Sequence, residues 1–418
     1  MTEKHLPHEL FFDKWVELYA SRNESMRSSA VRDLLAVTDR PDIISLAGGL
    51  PYIKALNMKK LQEAVCNVID RSGTDALQYG SSEGYEGLRS YLVKYLAEED
   101  IRVSPDDILI TDGSQQALEL IGKIFLNPGD TILTEAPSYV GALNAFLSYQ
   151  ARVVHIPLDE NGIKTNLLAR ELENLTRQGI RPKFIYVTPN FHNPAGVTLS
   201  LPRREQLIKV ARKYNTIIVE DNAYARLSFE EEPLPSLKSM DMENVIYLGS
   251  FSKIFSPGVR VGWVVAQRPI REKLIYAKQA ADLCSSSLTQ RVVEEYFKSN
   301  LLSSHVKKLI GMYKKRRDAM LAALEEFFPK EVKWTRPKGG FFVWATLPEY
   351  IDTTAMLAKA IQEKVAYVPG RAFYADGSGK NCMRLNFSYP REREIREGIR
   401  RLSEVIKQEI ELYKRLKL

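Results

Sequence analysis

The sequence is poor in cysteine. Three occur in 418 residues, Cys66, Cys284 and Cys382, and their spacing pairs none of them. They can build neither a disulfide framework nor a thiolate zinc site, so they read as core or surface thiols and no metal is expected. Long apolar runs are missing too. Nothing approaches the ~18 residues of a membrane helix, and Met1-Thr2-Glu3-Lys4-His5 is no signal-peptide start. No membrane association is expected, and the cytoplasm is the expected compartment. Segregated charge of one sign is also lacking. The formal net charge is +7, but basic and acidic residues interleave, as in Arg391-Glu392-Arg393-Glu394 and from Glu409 to Lys417. That is the pattern of solvated helix faces, and it argues against a nucleic-acid partner, whose footprint clusters cations without acids between them.

What is present is ordinary for a soluble globular protein: 44% hydrophobic and 27% charged residues. The length suggests two domains. Residues from about Leu10 to Leu35 read as one or two amphipathic helices, interrupted near Ser21 to Ser29. Ile43 to Leu46 then runs into Gly48-Gly49-Leu50-Pro51, where paired glycines let backbone come close to something. Leu61 to Asp70 reads as a helix.

From Ile108 onward the pattern alternates. Short β-branched runs at Ile108–Ile110, Thr131–Leu133, Arg152–Ile156, Phe184–Val187, Ile217–Val219 and Val245–Leu248 are separated mostly by helical segments. These segments are Gln115–Phe125, Tyr139–Ser148, Leu167–Arg177 and Arg203–Tyr214. Continuous apolar strands between helices mean an α/β fold with a mostly parallel sheet covered on both faces. Ligands bind beyond the carboxyl ends of such strands, so the polar turns there are the candidates. From about Asn300 the rhythm changes to strand pairs flanked by helices, a smaller α+β domain. Inside it, Arg384 lies within the apolar run Met383-Arg384-Leu385, pointing to a partner or a bound anion.

Four turns stand out. Asp112-Gly113-Ser114-Gln115 opens a helix, offering free N–H groups and the positive dipole end to a phosphate. Thr188 to Gly196 is a rigid loop presenting Asn193. Glu220-Asp221-Asn222-Ala223-Tyr224 puts an acid at a strand end, where burial demands a cationic partner. Gly249-Ser250-Phe251-Ser252-Lys253 places a lysine on a Gly/Ser turn, with Arg260 seven residues on. Desolvation and a neighbouring cation depress a lysine's pKa and free its amine to attack a carbonyl. Lysine is mostly a surface residue, so the turn carries weight only with its neighbours. A phosphate, a ring nitrogen wanting an acid, a ring oxygen wanting donors and an aldehyde wanting an amine together describe pyridoxal 5'-phosphate.

In this order and spacing the motifs resemble those of fold-type I pyridoxal-phosphate-dependent aminotransferases, in the subgroup of 2-aminoadipate, kynurenine and archaeal aromatic aminotransferases. The likeness covers nearly the whole chain. It adds Leu77-Gln78-Tyr79-Gly80, Glu135-Ala136-Pro137-Ser138-Tyr139, Asn193-Pro194-Ala195-Gly196 and Arg384-Leu385-Asn386-Phe387 to the turns above. It implies a large domain with a seven-stranded, mostly parallel sheet at 57–300, a small domain at 301–418, and an N-terminal segment, 1–56, packing against the small domain and the active site.

The resemblance also implies roles. Lys253 is the Schiff-base lysine and proton shuttle, and Asp221 pairs with the ring nitrogen. Asn193 and Tyr224 donate to the ring oxygen, and Tyr139 stacks on the ring. Ser114, Gln115, Ser250, Ser252 and Arg260 hold the phosphate, with Tyr79 reaching it from the other subunit of a homodimer. Arg384 forks onto the substrate α-carboxylate beside the Gly49 backbone, and Arg32 meets acidic side chains. Two departures from the family pattern are Tyr52-Ile53-Lys54 after Pro51, and Asn222 where a second acid is usual.

The implied reaction is ping-pong transamination between an amino acid and a 2-oxo acid such as 2-oxoglutarate. The same scaffold also runs β-elimination, decarboxylation and racemisation. Some transcription regulators carry such a domain behind a helix-turn-helix; with only about 40 residues before the Leu46-Ala47-Gly48-Gly49 motif, that module and a linker are not expected here.

Overall fold

The computed structural model describes residues 13–26, 40–230, 233–299 and 301–416. A two-residue strand, β1 (Ile44–Ser45), leads into the main sheet, formed by β2 (Ile108–Thr111), β3 (Thr131–Ala136), β4 (Arg152–Asp159), β5 (Gly162–Ile163), β6 (Phe184–Val187), β7 (Ile217–Asp221), β8 (Val245–Ser250) and β9 (Gly262–Val265). Their order is β2-β9-β8-β7-β6-β3-β4-β5. That is eight strands rather than the expected seven, because β5 folds back on β4 as a short antiparallel edge. Strand β9 runs antiparallel to both β2 and β8; the remaining pairings are parallel.

The central strands are buried along their length, which is why they read as continuous apolar runs. Alternate residues face opposite sides. Phe184, Tyr186, Val219, Ile246 and Leu248 pack toward the helices Gly113–Phe125, Val140–Leu147 and Arg268–Asp282. Ile185, Val187, Ile218 and Val245 pack toward Thr165–Arg177 and Leu201–Lys213.

After the long helix Leu301–Phe327, a second sheet has the order β10-β11-β14-β13, from β10 (Lys333–Trp334), β11 (Phe342–Thr346), β13 (Val368–Pro369) and β14 (Cys382–Asn386). The remaining strand, β12 (Val365–Ala366), pairs in parallel with β1. The final helix, Glu392–Leu416, buries Ile395, Ile399, Leu402, Ile406 and Ile410, a helical stripe that packs on Leu301–Phe327. The N-terminal segment therefore enters the C-terminal layer: Leu46 N donates to Ala366 O at 2.8 Å and Asn386 N donates to Leu46 O at 2.8 Å.

The expected amphipathic helix near the N-terminus is not found where the segment is described. Val16–Leu18 and Ser21–Ser25 are short 3-10 turns with no buried residue, and Trp15, Leu18 and Tyr19 are exposed. Apolar spacing alone does not hold a helix that has nothing to pack against. All three cysteines are free thiols. Among the described residues no helix is long and apolar enough to cross a membrane.

Candidate active site

The site forms where β6, β7 and β8 end and the segment after β1 crosses them. At the end of β7, two acids stand side by side and the strand's period of two separates them. Glu220 turns to the face of Ile218 and accepts hydrogen bonds from Leu237 N at 3.1 Å and Lys238 N at 2.8 Å, so it anchors a short helix. Asp221 shares the other face with Val219. Its Oδ2 accepts from the Tyr186 hydroxyl at 2.9 Å. Its Oδ1 is buried and bonded to nothing. Burial pushes the carboxyl up to about 6, against the Tyr186 bond and the charges of Lys253 and His192, which favour the anion. Asn222 accepts from Asn190 Nδ2 at 2.7 Å, so the missing second acid is replaced by an amide that ties this strand end to the next loop.

Lys253 leaves β8 on the Ser250–Ser252 turn. Its Nζ donates to Gly49 O at 3.4 Å and stands 5.8 Å from the Tyr224 ring centre. Burial brings its amine down to about 8, helped by Arg384 and Arg260 and opposed by Asp221. The Ser250 and Ser252 hydroxyls are 2.9 Å apart. Arg260, at φ +51°, reaches back so that Nη2 donates to Asp112 O at 2.6 Å. This brings it over the start of the helix that carries Ser114 and Gln115. The approach is so close that a Cβ on Gly113 would sit 2.6 Å from Arg260 Nη2, and one on Gly262 2.6 Å from the Gly113 carbonyl carbon. Two glycines thus let Arg260 and its strand come close to a helix N-terminus, a candidate anion seat. Tyr139 borders it, its hydroxyl 3.4 Å from Gln115 Oε1.

Arg384 comes from β14 and is buried. Its guanidinium lies 4.3 Å from the Phe342 ring centre and 5.1 Å from that of Phe373. Nη1 donates to Asn193 Oδ1 at 2.9 Å, and Nη2 to Ala47 O at 2.8 Å. Its Nε is buried without a partner. Desolvation lowers the guanidinium only to about 10, so it stays charged. Phe342 also lies against Tyr224, and a Cβ on Gly49 would meet it at 3.0 Å. Burial raises the Tyr224 phenol above its ordinary value and the Tyr139 phenol to about 12; both keep their protons.

The structure thus brings together Lys253, Asp221, Tyr224, Asn193, Arg384 and Gly49, and beside them Ser114, Gln115, Tyr139, Ser250, Ser252 and Arg260. It does not bring in Tyr79, which is 79% exposed on the outer surface. Arg32 lies outside the described residues. Four residues at this site receive no role from a reading of the sequence. Phe342 and Phe373 look like core, and nothing in their spacing says they clamp a cation. Tyr186 sits in an apolar strand and reads as packing; its parity with Asp221 across the sheet is the one available signal. Glu135 accepts from Thr188 N at 2.7 Å and lies 3.1 Å from His192 Nε2, fastening the Asn193 loop to β3.

The residues fit pyridoxal phosphate on structural grounds: an orphaned buried carboxylate oxygen, Arg260 packed on a glycine at a helix N-terminus, and a buried amine whose charge both of them act on. The sequence profile of the aminotransferases of class I and II matches residues 41–402. The chain belongs to that family. The aminotransferase is 48% identical over 412 residues to aromatic-amino-acid aminotransferase 1 of Thermococcus litoralis, covering 98% of both chains. It is 41% identical to the 2-aminoadipate transaminase of Thermus thermophilus over 94% of its own length and 97% of that protein's. Among solved structures, the kynurenine aminotransferase of Pyrococcus horikoshii, in complex with pyridoxamine phosphate, matches with a TM-score of 0.91 at 46% identity. That match covers 95% of this chain and 98% of the other. The aminotransferase is therefore a fold-type I transaminase that uses pyridoxal phosphate.

Proposed function

We propose that the aminotransferase moves the amino group of an aromatic amino acid, kynurenine, 2-aminoadipate or glutamate to a 2-oxo acid such as 2-oxoglutarate, in a ping-pong cycle. The observation that carries this reading is the convergence, at one end of one sheet, of a lysine with a depressed pKa, an acid with one free oxygen and a planar cation clamped between rings. The names of the similar proteins support the choice of substrates.

Bound pyridoxal phosphate supplies an electrophilic carbon and an electron-withdrawing ring that carries the amino group between half-reactions. Asp221 holds a negative charge against the ring nitrogen through Oδ1. Asn193 and Tyr224 donate to the ring oxygen, Tyr139 covers the ring, and Ser114, Gln115, Ser250, Ser252 and Arg260 hold the phosphate. Arg384 binds the substrate α-carboxylate as a fork beside the Gly49 backbone, which orients the Cα–H bond toward Lys253. Lys253 would take that proton from Cα and return it at the cofactor's C4′ carbon. With the amine at about 8, a fraction on the order of a tenth is already neutral at pH 7.

Arg32 remains our candidate for acidic substrate side chains. We also read residues 1–56 as an N-terminal segment that packs with a small domain, 301–418, and with the active site of a large domain, 57–300. Exposed Leu77, Tyr79 and Leu283 support a homodimer in which Tyr79 completes the partner's phosphate site. Sedimentation equilibrium should then give twice the 47.6 kDa chain mass.

The absorption spectrum of the loaded protein, titrated with a panel of amino acids, tests the reading. The visible band should disappear with a competent donor and return with 2-oxoglutarate. A band that no amino acid bleaches would sink it.

A further inference from the structure

The orphaned oxygen of Asp221 raises a question that the cofactor alone does not answer: what makes Oδ1, and not Oδ2, the free one. A carboxylate turns about its Cβ–Cγ bond, and nothing on β7 itself stops it. The only hydrogen bond to the Asp221 carboxylate among the described residues comes from Tyr186.

Tyr186 is placed for this by the sheet. In the parallel pair β6–β7 it stands opposite Val219, and Asp221 is its diagonal neighbour on the same face, two residues further along β7 and roughly 7–8 Å away. A tyrosine spans that distance and no shorter side chain does. Its ring is fully buried and packs edge-on against Phe146, with centroids 5.6 Å apart. The Thr188 hydroxyl, 3.5 Å away, is its other polar neighbour. Burial and the Asp221 charge push the phenol far above its ordinary value, so it remains a donor at any working pH. Lys253 and His192 also act electrostatically on Asp221; neither bonds it.

We propose that Tyr186 is a positioning residue: its phenol pins Asp221 Oδ2, so that Oδ1 alone faces the ring nitrogen of pyridoxal phosphate and the shared proton stays on that nitrogen. This rests on the reading of Asp221 given above. Removing the phenol has two consequences. The carboxylate loses its orientation, and it becomes the stronger base because a hydrogen bond to its charged form is gone. The proton then moves toward the acid, and the ring draws electrons less strongly.

The test uses enzyme loaded with pyridoxal phosphate labelled with 15N in the ring. Tyr186→Phe, Asp221→Ala and the wild type are compared by the 15N chemical shift, by the pH midpoint of the visible band, and by kcat and KM. In Tyr186→Phe we expect the shift to move from the protonated toward the neutral value and the pH midpoint to rise. There kcat should fall about tenfold, the effect of one hydrogen bond to a charged group, with KM changed less than about threefold. Tyr186→3-fluorotyrosine keeps the shape and strengthens the donor, so its pH midpoint should move the opposite way; it carries the test if Tyr186→Phe does not fold. If Asp221→Ala moves the 15N shift while both Tyr186 variants keep the wild-type value, Tyr186 merely packs and the proposal falls. If Asp221→Ala leaves the shift unchanged, the assignment of Asp221 itself is wrong, and Tyr186 loses its role with it.

Discussion

Replacing Arg384 by lysine keeps a positive charge and discards the geometry. The guanidinium is planar, bonded to Asn193 and Ala47, and clamped between Phe342 and Phe373. An ammonium can make neither the fork nor the stack. Against a bound carboxylate it keeps one charged contact and loses the second. A hydrogen bond to a charged group is worth ~1.5–3 kcal/mol, and the lost stacking contributes ~0.5–1 kcal/mol more. Together these amount to about 2–4 kcal/mol, or roughly 30- to 1000-fold in kcat/KM at 1.4 kcal/mol per tenfold. The assay is transamination of an aromatic amino acid beside that of its decarboxylated amine, which lacks the group Arg384 is meant to hold. Arg384→Lys should lose most of its activity on the amino acid and little on the amine, so that the preference between them collapses. Equal losses on both would refute the reasoning and make Arg384 a structural residue. So would a fall of less than about tenfold on the amino acid.

Lys253→Ala should still bind pyridoxal phosphate but show no lysine-bound visible band, and multiple-turnover transamination should fall by at least about 10²–10⁴; sustained turnover would remove the lysine from the mechanism. The amine of Lys253 is brought down to about 8 from 10.5, so its neutral fraction grows as pH rises toward that value. The rate at which apoenzyme recaptures pyridoxal phosphate should therefore climb about tenfold per pH unit below 8 and level off above it. A stopped-flow profile flat from pH 6 to 9 contradicts this. Gly262→Ala pushes a methyl carbon to 2.6 Å from the Gly113 carbonyl carbon and 2.7 Å from Ser114 N. At an overpacking cost of ~1–3 kcal/mol, equilibrium dialysis should show the dissociation constant for pyridoxal phosphate rising about 5- to 150-fold. An unchanged constant would mean this close approach does not shape the phosphate seat.

Much of this site is legible because each chemical group stands just past the end of an apolar strand, where composition changes abruptly. Ser114, Asn193, Asp221 and Lys253 all announce themselves in that way. Strand β9 does not. Gly262–Val265 is four residues long, and its antiparallel direction has no signature in so short a run. The eighth strand is two residues, Gly162-Ile163, and exists only because Asp159 and Gly162 pair across a tight turn. The long helix begins at Leu301, where its first turns are mostly polar and draw their support from tertiary packing, so its start carries no clear mark in the sequence. The clamp on Arg384 is illegible for a different reason. Phe342 and Phe373 lie 31 positions apart and meet the guanidinium only after β11, β14 and the loop beyond β13 are assembled, and an aromatic ring carries no mark of what it will face. Glu220 and Asp221 look interchangeable in sequence, and only the two faces of a strand tell them apart.

The pairing of β1 with β12 has a bearing on synthesis. Ile44 finds its partner in Val365, 321 positions later. A ribosome adding about 5–20 residues per second leaves the early segment waiting roughly 16–64 s for that strand to emerge. During that interval Ala47 and Gly49, whose carbonyls will later hold Arg384 and Lys253, belong to a tail without a sheet to join. The nascent chain can complete its eight-stranded layer first, but the pocket closes only when both ends of the polypeptide are present. Any truncation before Val365 would leave the arginine missing and the tail unpaired.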